Sequence, residues 1–260
     1  MNNYDRILER QEALKLICTK GQLTDLARLN EAGKKELEFL DSYLNLVDLN
    51  KKAKSVQMLQ KCSKIPVIKK LKDFDFSFQP SINEAQIRNF ATLGFMNNAE
   101  NIIFIGDPGT GKSHLSISLA EIAISEGRKV YYITMSDLIA KINTALQTGK
   151  TEKLFRTMRI PSLIVIDEIG YQKLTQEQTE VFFAIISNRY ERASVILTSN
   201  YPLSLWDSIF SSKAMTGVIV DRLLHHGHVV KIRGKSYRLK DRILQEPLTA
   251  DLHGESGGKN

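Results

Sequence analysis

The stretch FIGDPGTGKSHL, Phe104 to Leu115, decides how this chain folds. An apolar run ends in glycine, a glycine–proline turn follows, and a lysine and a serine then open a fresh apolar stretch. The spacing Gly106-x-x-x-x-Gly111-Lys112-Ser113 is that of a phosphate-binding loop set between a strand and a helix. Its glycines let the backbone turn with N–H groups pointing inward, which makes an anion nest at a helix N-terminus. Gly106, Asp107, Pro108, Gly109, Thr110, Gly111 and His114 thus surround the phosphates of a nucleotide, with Pro108 stiffening the turn. Lys112 reaches the β- and γ-phosphates as a point charge, and Ser113 offers its hydroxyl to Mg²⁺.

Outward from the loop, the pattern is alternating strand and helix. Short continuous apolar runs at Ile102–Ile105, Val130–Ile133, Leu163–Ile166 and Val195–Leu197 read as strands buried on both faces of a parallel sheet. Helical stretches separate them at about Lys112–Glu126, Ser136–Leu146 and Thr175–Tyr190, the last opening with the capping-box signature Thr175-x-x-Gln178. The fold class is therefore α/β, a parallel sheet flanked by helices. Asp167 and Glu168 close the third apolar run, at the end of a strand where open α/β sheets bind ligands. There Asp167 would hold Mg²⁺ through water and Glu168 would polarise an attacking water. Thr198, Ser199 and Asn200 close the fourth run, and Asn200 has the chemistry to orient a water at the γ-phosphate. The acidic pair points to hydrolysis of ATP rather than to storage of a nucleotide.

The rest of the chain frames this core. A small helical N-terminal domain with a basic arm is expected over residues 1–72, where Ile7, Leu8, Leu14, Leu16, Ile17, Leu23, Leu26, Leu29, Leu37, Leu40, Leu44 and Leu46 recur at helical spacing and Gly21 and Gly33 mark helix ends. The ATPase core is expected over 73–246 and a flexible polar tail over 247–260. Lys51, Lys52, Lys54, Lys61, Lys64, Lys69, Lys70 and Lys72 fall in one stretch with no acid among them. A lysine run is either a solvated helix face leading to a linker near Ile65-Pro66 or an arm that contacts DNA phosphates, Lys51, Lys52, Lys54, Lys61 and Lys64 being the candidates. The net charge of +7 favours an anionic partner. Two cysteines, Cys18 and Cys62, form no CxxC pair, so neither a disulfide framework nor a zinc site is indicated. No apolar run approaches a membrane span and the N-terminus lacks the apolar centre of a signal peptide, so a cytoplasmic protein is expected.

Taken together, the phosphate loop, Asp167-Glu168 and Asn200 look like an AAA+ ATPase core. More narrowly, the chain resembles the IstB-like ATP-binding proteins, helper ATPases of insertion-sequence transposition related to the DnaC helicase loaders. The carrying stretches are FDFSF (74–78) with Gln79-Pro80, GDPGTGKSHL, LIVIDEIGY, NRYERAS (188–194), LTSN, DRLLHH (221–226) and RGKSYRLK (233–240). The resemblance implies that Arg222 enters a neighbouring subunit's site, that ATP bridges subunits of a homo-oligomer, and that a full C-terminal lid domain is lacking, with Arg238 the nominee for a sensor arginine. It also implies ATP-dependent assembly on duplex DNA, largely independent of sequence, and engagement of an IstA-like transposase. The shared motifs equally suit a loader of the replicative helicase, which is the alternative. A small-molecule kinase is disfavoured by the water-directed pair and polar strand end, and a scaffold that barely hydrolyses ATP by the intact Glu168. The cluster LHHGH (224–228) shows no carboxylate or thiolate at ligand spacing and is not read as a metal site. Phe74, Phe76 and Phe78 are expected to pack on the domain, with a base-stacking role open to Phe76 or Phe78. Trp206 and Tyr201 are expected in the core.

Overall fold

The computed structural model describes residues 33–239, together with 5–7, 9, 10, 22, 25 and 28. Most of the apolar series before Gly33, the tail over 247–260 and Cys18 lie outside the described residues. The chain divides into two compact units, Met1–Leu59 and Gln60–Asn260, a division that falls inside one long helix, α1 (Lys34–Ser63). Within the first unit Ile7 and Leu44 are buried together, with Leu37, Leu40 and Val47 against them, and Arg10 pairs with Asp41 at 2.6 Å. Helix α1 stops at Ser63, and Lys64 takes a left-handed backbone (φ 63) before Ile65-Pro66, where one of the two readings of the lysine run puts a linker.

The second unit is built on five parallel strands. After the short helices α2 (Glu84–Phe90) and α3 (Gly94–Asn97), the chain runs through β1 (Asn101–Gly106), α4 (Lys112–Ser125), β2 (Val130–Thr134), α5 (Met135–Thr148) and α6 (Thr151–Arg159). It continues through β3 (Leu163–Ile169), α7 (Gln176–Arg189), β4 (Ser194–Ser199), α8 (Lys213–His225) and β5 (Gly227–Ile232). The strand order is β2-β3-β4-β1-β5. All four neighbour pairs are parallel. Burial on both faces explains the apolar runs: every side chain of β4 is buried, as are all but Glu168 on β3. Helices hold their ends with local caps. Thr175 and Gln178 form both bonds of the capping box, Thr134 caps α5 at Asp137 N, and Gly149 (φ 64) ends α5 in the left-handed region glycine adopts without strain.

Three elements carry no clear sequence signal. Helix α6 is short, α8 is touched only through the stretch DRLLHH, and β5 escapes notice because His228 and Lys231 interrupt its apolar alternation at the sheet edge. Strand β5 follows α8 with one intervening residue, His226. Gly227 makes this possible, since a Cβ there would collide with the Leu223 carbonyl. Among the described residues, no helix is long and apolar enough to cross a membrane.

Candidate functional site

Splitting β1 from β3 by β4 opens a crevice at the C-terminal strand ends, where such sheets bind ligands. A cavity of about 530 Å³ lies there, lined by the loop from Pro108 to His114 and by Glu168, Thr198, Asn200 and Arg238. The loop turns through two left-handed glycines, Gly109 (φ 81) and Gly111 (φ 99). Each is also a close approach: a Cβ on Gly109 would strike Ser236, and one on Gly111 would strike the Phe74 ring. Lys112 Nζ donates to the carbonyls of Gly106 and Asp107, at 2.7 and 2.8 Å. Burial pulls its pKa below the ordinary lysine value, against the opposing pull of Asp167 and Asp107.

The acidic pair is set by a defect in the sheet. Ile166 pairs with Leu197 and Ile169 with Ser199, so β3 carries one extra residue at Asp167-Glu168. Glu168 takes a positive φ of 66, strained for a non-glycine residue. Thr198 stabilises the bulge by accepting from Glu168 N at 2.9 Å while donating to Asp167 Oδ1. Asp167 is buried and its oxygens are held further by Ser113 Oγ (3.0 Å, to Oδ1) and Tyr132 OH (2.6 Å, to Oδ2). Burial, and then the bond to Asp167, push the Tyr132 phenol well above its usual pKa, so it stays a neutral donor. Glu168, by contrast, is exposed. Ser113 and Asp167 are hard oxygen donors side by side, the chemistry Mg²⁺ takes.

Asn200 lines the same cavity, and its Nδ2 donates to Tyr171 OH at 2.6 Å. Tyr171 also lines it and was missed in the sequence, where it reads as one more residue of a loop. Arg238 faces Lys112 closely enough to oppose its charge. Arg222 is elsewhere: on α8 it bonds Ser187 Oγ and lies 4.6 Å from the Phe183 ring centre, and it does not line this cavity.

The remaining expectations fare differently from one another. Of the three phenylalanines, Phe74 lines the cavity, while Phe76 packs on it at 4.8 Å and Phe78 packs edge-on to Tyr237 at 5.2 Å. Trp206 is fully buried, but Tyr201 is 41% exposed and lies over Gly170. The histidines of LHHGH separate: His228 sits on β5 and bonds Glu100 at 2.9 Å, whereas His225 and His226 meet Glu191, a carboxylate supplied from the turn after α7 rather than from nearby sequence. The candidate DNA-contacting lysines Lys51, Lys52, Lys54, Lys61 and Lys64 are all exposed, with Lys52 paired to Asp48 at 2.8 Å. Of the segment after β5, the sequence pointed only to Arg238, and Tyr237 was missed as a wall of the site. Tyr237 N donates to Gly109 O at 2.9 Å, which straps residues 233–239 across the loop.

A five-stranded parallel sheet in this order, with a phosphate loop after β1 and a bulged acidic pair ending β3, defines a P-loop nucleotide-binding core of the AAA+ class. The chain belongs to the family of IstB-like ATP binding proteins, whose match spans residues 11–245. It is 42% identical over 214 residues to the ATP-binding protein of insertion sequence IS5376 of Geobacillus stearothermophilus, covering 82% of this chain and 85% of that one. It is 37% identical over 224 residues to that of IS21 of Pseudomonas aeruginosa, covering 85% and 84%. Among solved structures, the DnaC helicase loader shares the fold with a TM-score of 0.50 at 24% identity, over 57% of this chain and 86% of that one. AMPPCP-bound DnaA of Aquifex aeolicus does so with a TM-score of 0.53 at 18% identity, over 70% and 57%.

Proposed function

We propose that this chain is a Mg²⁺-dependent ATPase that assembles on duplex DNA and assists the transposase of an insertion sequence. The observation that carries the hydrolytic part is the bulge ending β3, which buries Asp167 against Ser113 and leaves Glu168 exposed on the same cavity. Lys112 and the loop N–H groups bind the phosphates, Ser113 and Asp167 hold the metal, Glu168 takes the proton of the attacking water, and Asn200 orients that water. Bound Mg²⁺ would neutralise charge on the β- and γ-phosphate oxygens. Arg222, turned from its own cavity, serves the site of an adjacent copy in a homo-oligomer, where a guanidinium stabilises the γ-phosphoryl group as it departs. Family membership and the insertion-sequence relatives support a transposase as the partner and, with it, a cytoplasmic location. The exposed lysines support a largely sequence-independent DNA contact.

Electron microscopy and light scattering with ATP on duplex and single-stranded DNA test this reading, using wild type, Glu168→Gln and Lys112→Ala. The expected result is ordered oligomers on duplex DNA, longer-lived with Glu168→Gln and lost with Lys112→Ala. Assembly confined to single strands, or dependent on a helicase, would replace the transposition helper with a helicase loader.

A further inference from the structure

Gln79 follows the phenylalanine segment and is 1% exposed, yet it lines the cavity alongside Phe74 and the phosphate loop. Its Nε2 donates to the Lys235 carbonyl at 2.8 Å. Turning the amide over would set carbonyl against carbonyl, so this bond fixes which end is oxygen. The remaining atom, Oε1, has no hydrogen-bond partner among the described residues. Buried acceptors are nearly always satisfied, and an orphan one in a residue that lines a cavity is a place for a ligand donor. The backbone has made room for it as well: a Cβ on Gly234 would collide with Oε1. The strap carrying Gly234 and Lys235 reaches the phosphate loop through Ser236 against Gly109 and Tyr237 N on Gly109 O. Across the loop, Phe74 abuts Gly111.

We propose that Gln79 Oε1 accepts a hydrogen bond from the 6-amino group of adenine and is the residue that selects ATP among purine nucleotides. The inference rests on the reading above that the cavity holds a nucleoside triphosphate. Adenine presents a donor at position 6. Guanine presents an oxygen there, which would face the Gln79 oxygen lone pair to lone pair. A site built to bond one group rejects an analogue that lacks it, because its own buried partner is left unmet. The phosphate loop itself gives no such choice, since every nucleoside triphosphate carries the same phosphates.

The test is calorimetric binding to the full chain with Mg²⁺, comparing ATP, GTP and purine riboside 5′-triphosphate, which differs from ATP only in lacking the 6-amino group. Wild type is expected to bind ATP roughly tenfold or more tightly than the amino-free analogue. Gln79→Met is expected to bind the two alike, and Gly234→Ala, which displaces the amide without removing it, to narrow the difference. Equal binding of ATP and the analogue by wild type would overturn the proposal, and this comparison stands even if a variant fails to fold. So would equal weakening of both ligands in Gln79→Met, which would make Gln79 a tie for the strap and nothing more. Failure of wild type to bind any of the three would instead remove the nucleotide reading on which the proposal rests.

Discussion

Tyr132 shows how much of the site depends on a residue outside its motifs. Its hydroxyl holds Asp167 Oδ2 from β2, at the sheet edge, while Ser113 and Thr198 hold the other oxygen. With both oxygens engaged, the carboxylate is held in one orientation. Tyr132→Phe keeps the ring and removes only that bond. The Mg²⁺ concentration for half-maximal ATPase activity should rise severalfold, with ATP affinity measured without Mg²⁺ little changed; a magnesium titration checks this, and an unchanged midpoint would make Tyr132 a packing residue. Lys112 gives a second expectation, in pH. Phosphate binding needs the protonated ammonium, and burial sets its pKa below the ordinary lysine range. ATP affinity should therefore fall at alkaline pH earlier than an ordinary lysine would allow. Lys112→Arg, whose guanidinium keeps its proton, should remove that limb even if it binds more weakly. The loop residues were legible in the sequence because the chemistry and the spacing coincide in one short stretch. Tyr132, Tyr171 and Gln79 were not, because each meets its partner across the fold, 35, 29 and 156 positions away.

At the scale of elements, one buried arginine ties together what the loops alone would leave apart. Arg189, the last residue of α7, is 1% exposed and donates to the carbonyls of Met158, Pro161 and Ser194 at 2.7, 2.9 and 2.8 Å. It thereby joins the end of α6, the entry to β3 and the start of β4. Among these contacts there is no carboxylate, and burial pulls its pKa down to about 10. Arg189→Leu leaves three carbonyls without their donor, a loss of about 1–3 kcal/mol for each one left unmet, partly offset because no charge is then buried. A net destabilisation of roughly 2–4 kcal/mol lowers Tm by about 5–15 °C. Arg189→Lys should not restore it, since an ammonium cannot span the fork. Thermal unfolding monitored by circular dichroism checks both variants, and wild-type stability in Arg189→Leu would show that water replaces the arginine. The alternation of strands and helices was legible as far as β4, because burial on both faces writes continuous apolar runs. Strand β5 was not: at the edge it has one buried neighbour, β1, and its polar residues look like loop.

For the whole molecule, the decisive placement is that of Arg222. In its own chain it lies on the Phe183 ring and bonds Ser187, while the phosphate loop and Glu168 line a cavity it does not reach. On the proposed function, a hydrolytic role for Arg222 requires a second copy, and ATP turnover would belong to an assembly. If the exposed lysines carry the proposed DNA contact, assembly on duplex DNA should weaken steeply as salt rises. Replacing Lys51, Lys54 and Lys61 with Gln should flatten that dependence and leave DNA-free ATP binding intact; fluorescence anisotropy over a salt series checks it. A trans role for Arg222 would also let the two halves of the site be separated between subunits. Lys112→Ala lacks the phosphate contact but keeps its arginine, whereas Arg222→Ala keeps the phosphate contact and lacks the arginine. Each alone should be inactive on DNA. Mixed, they create interfaces with an intact loop from one subunit and an intact arginine from the other, so part of the ATPase activity should return. Activity that stays absent in co-assembled mixtures would mean that Arg222 acts within its own chain or only supports α8. An active Arg222→Ala protein would remove the arginine from the chemistry and leave Arg238, which lines the cavity beside Lys112, as the guanidinium to test next.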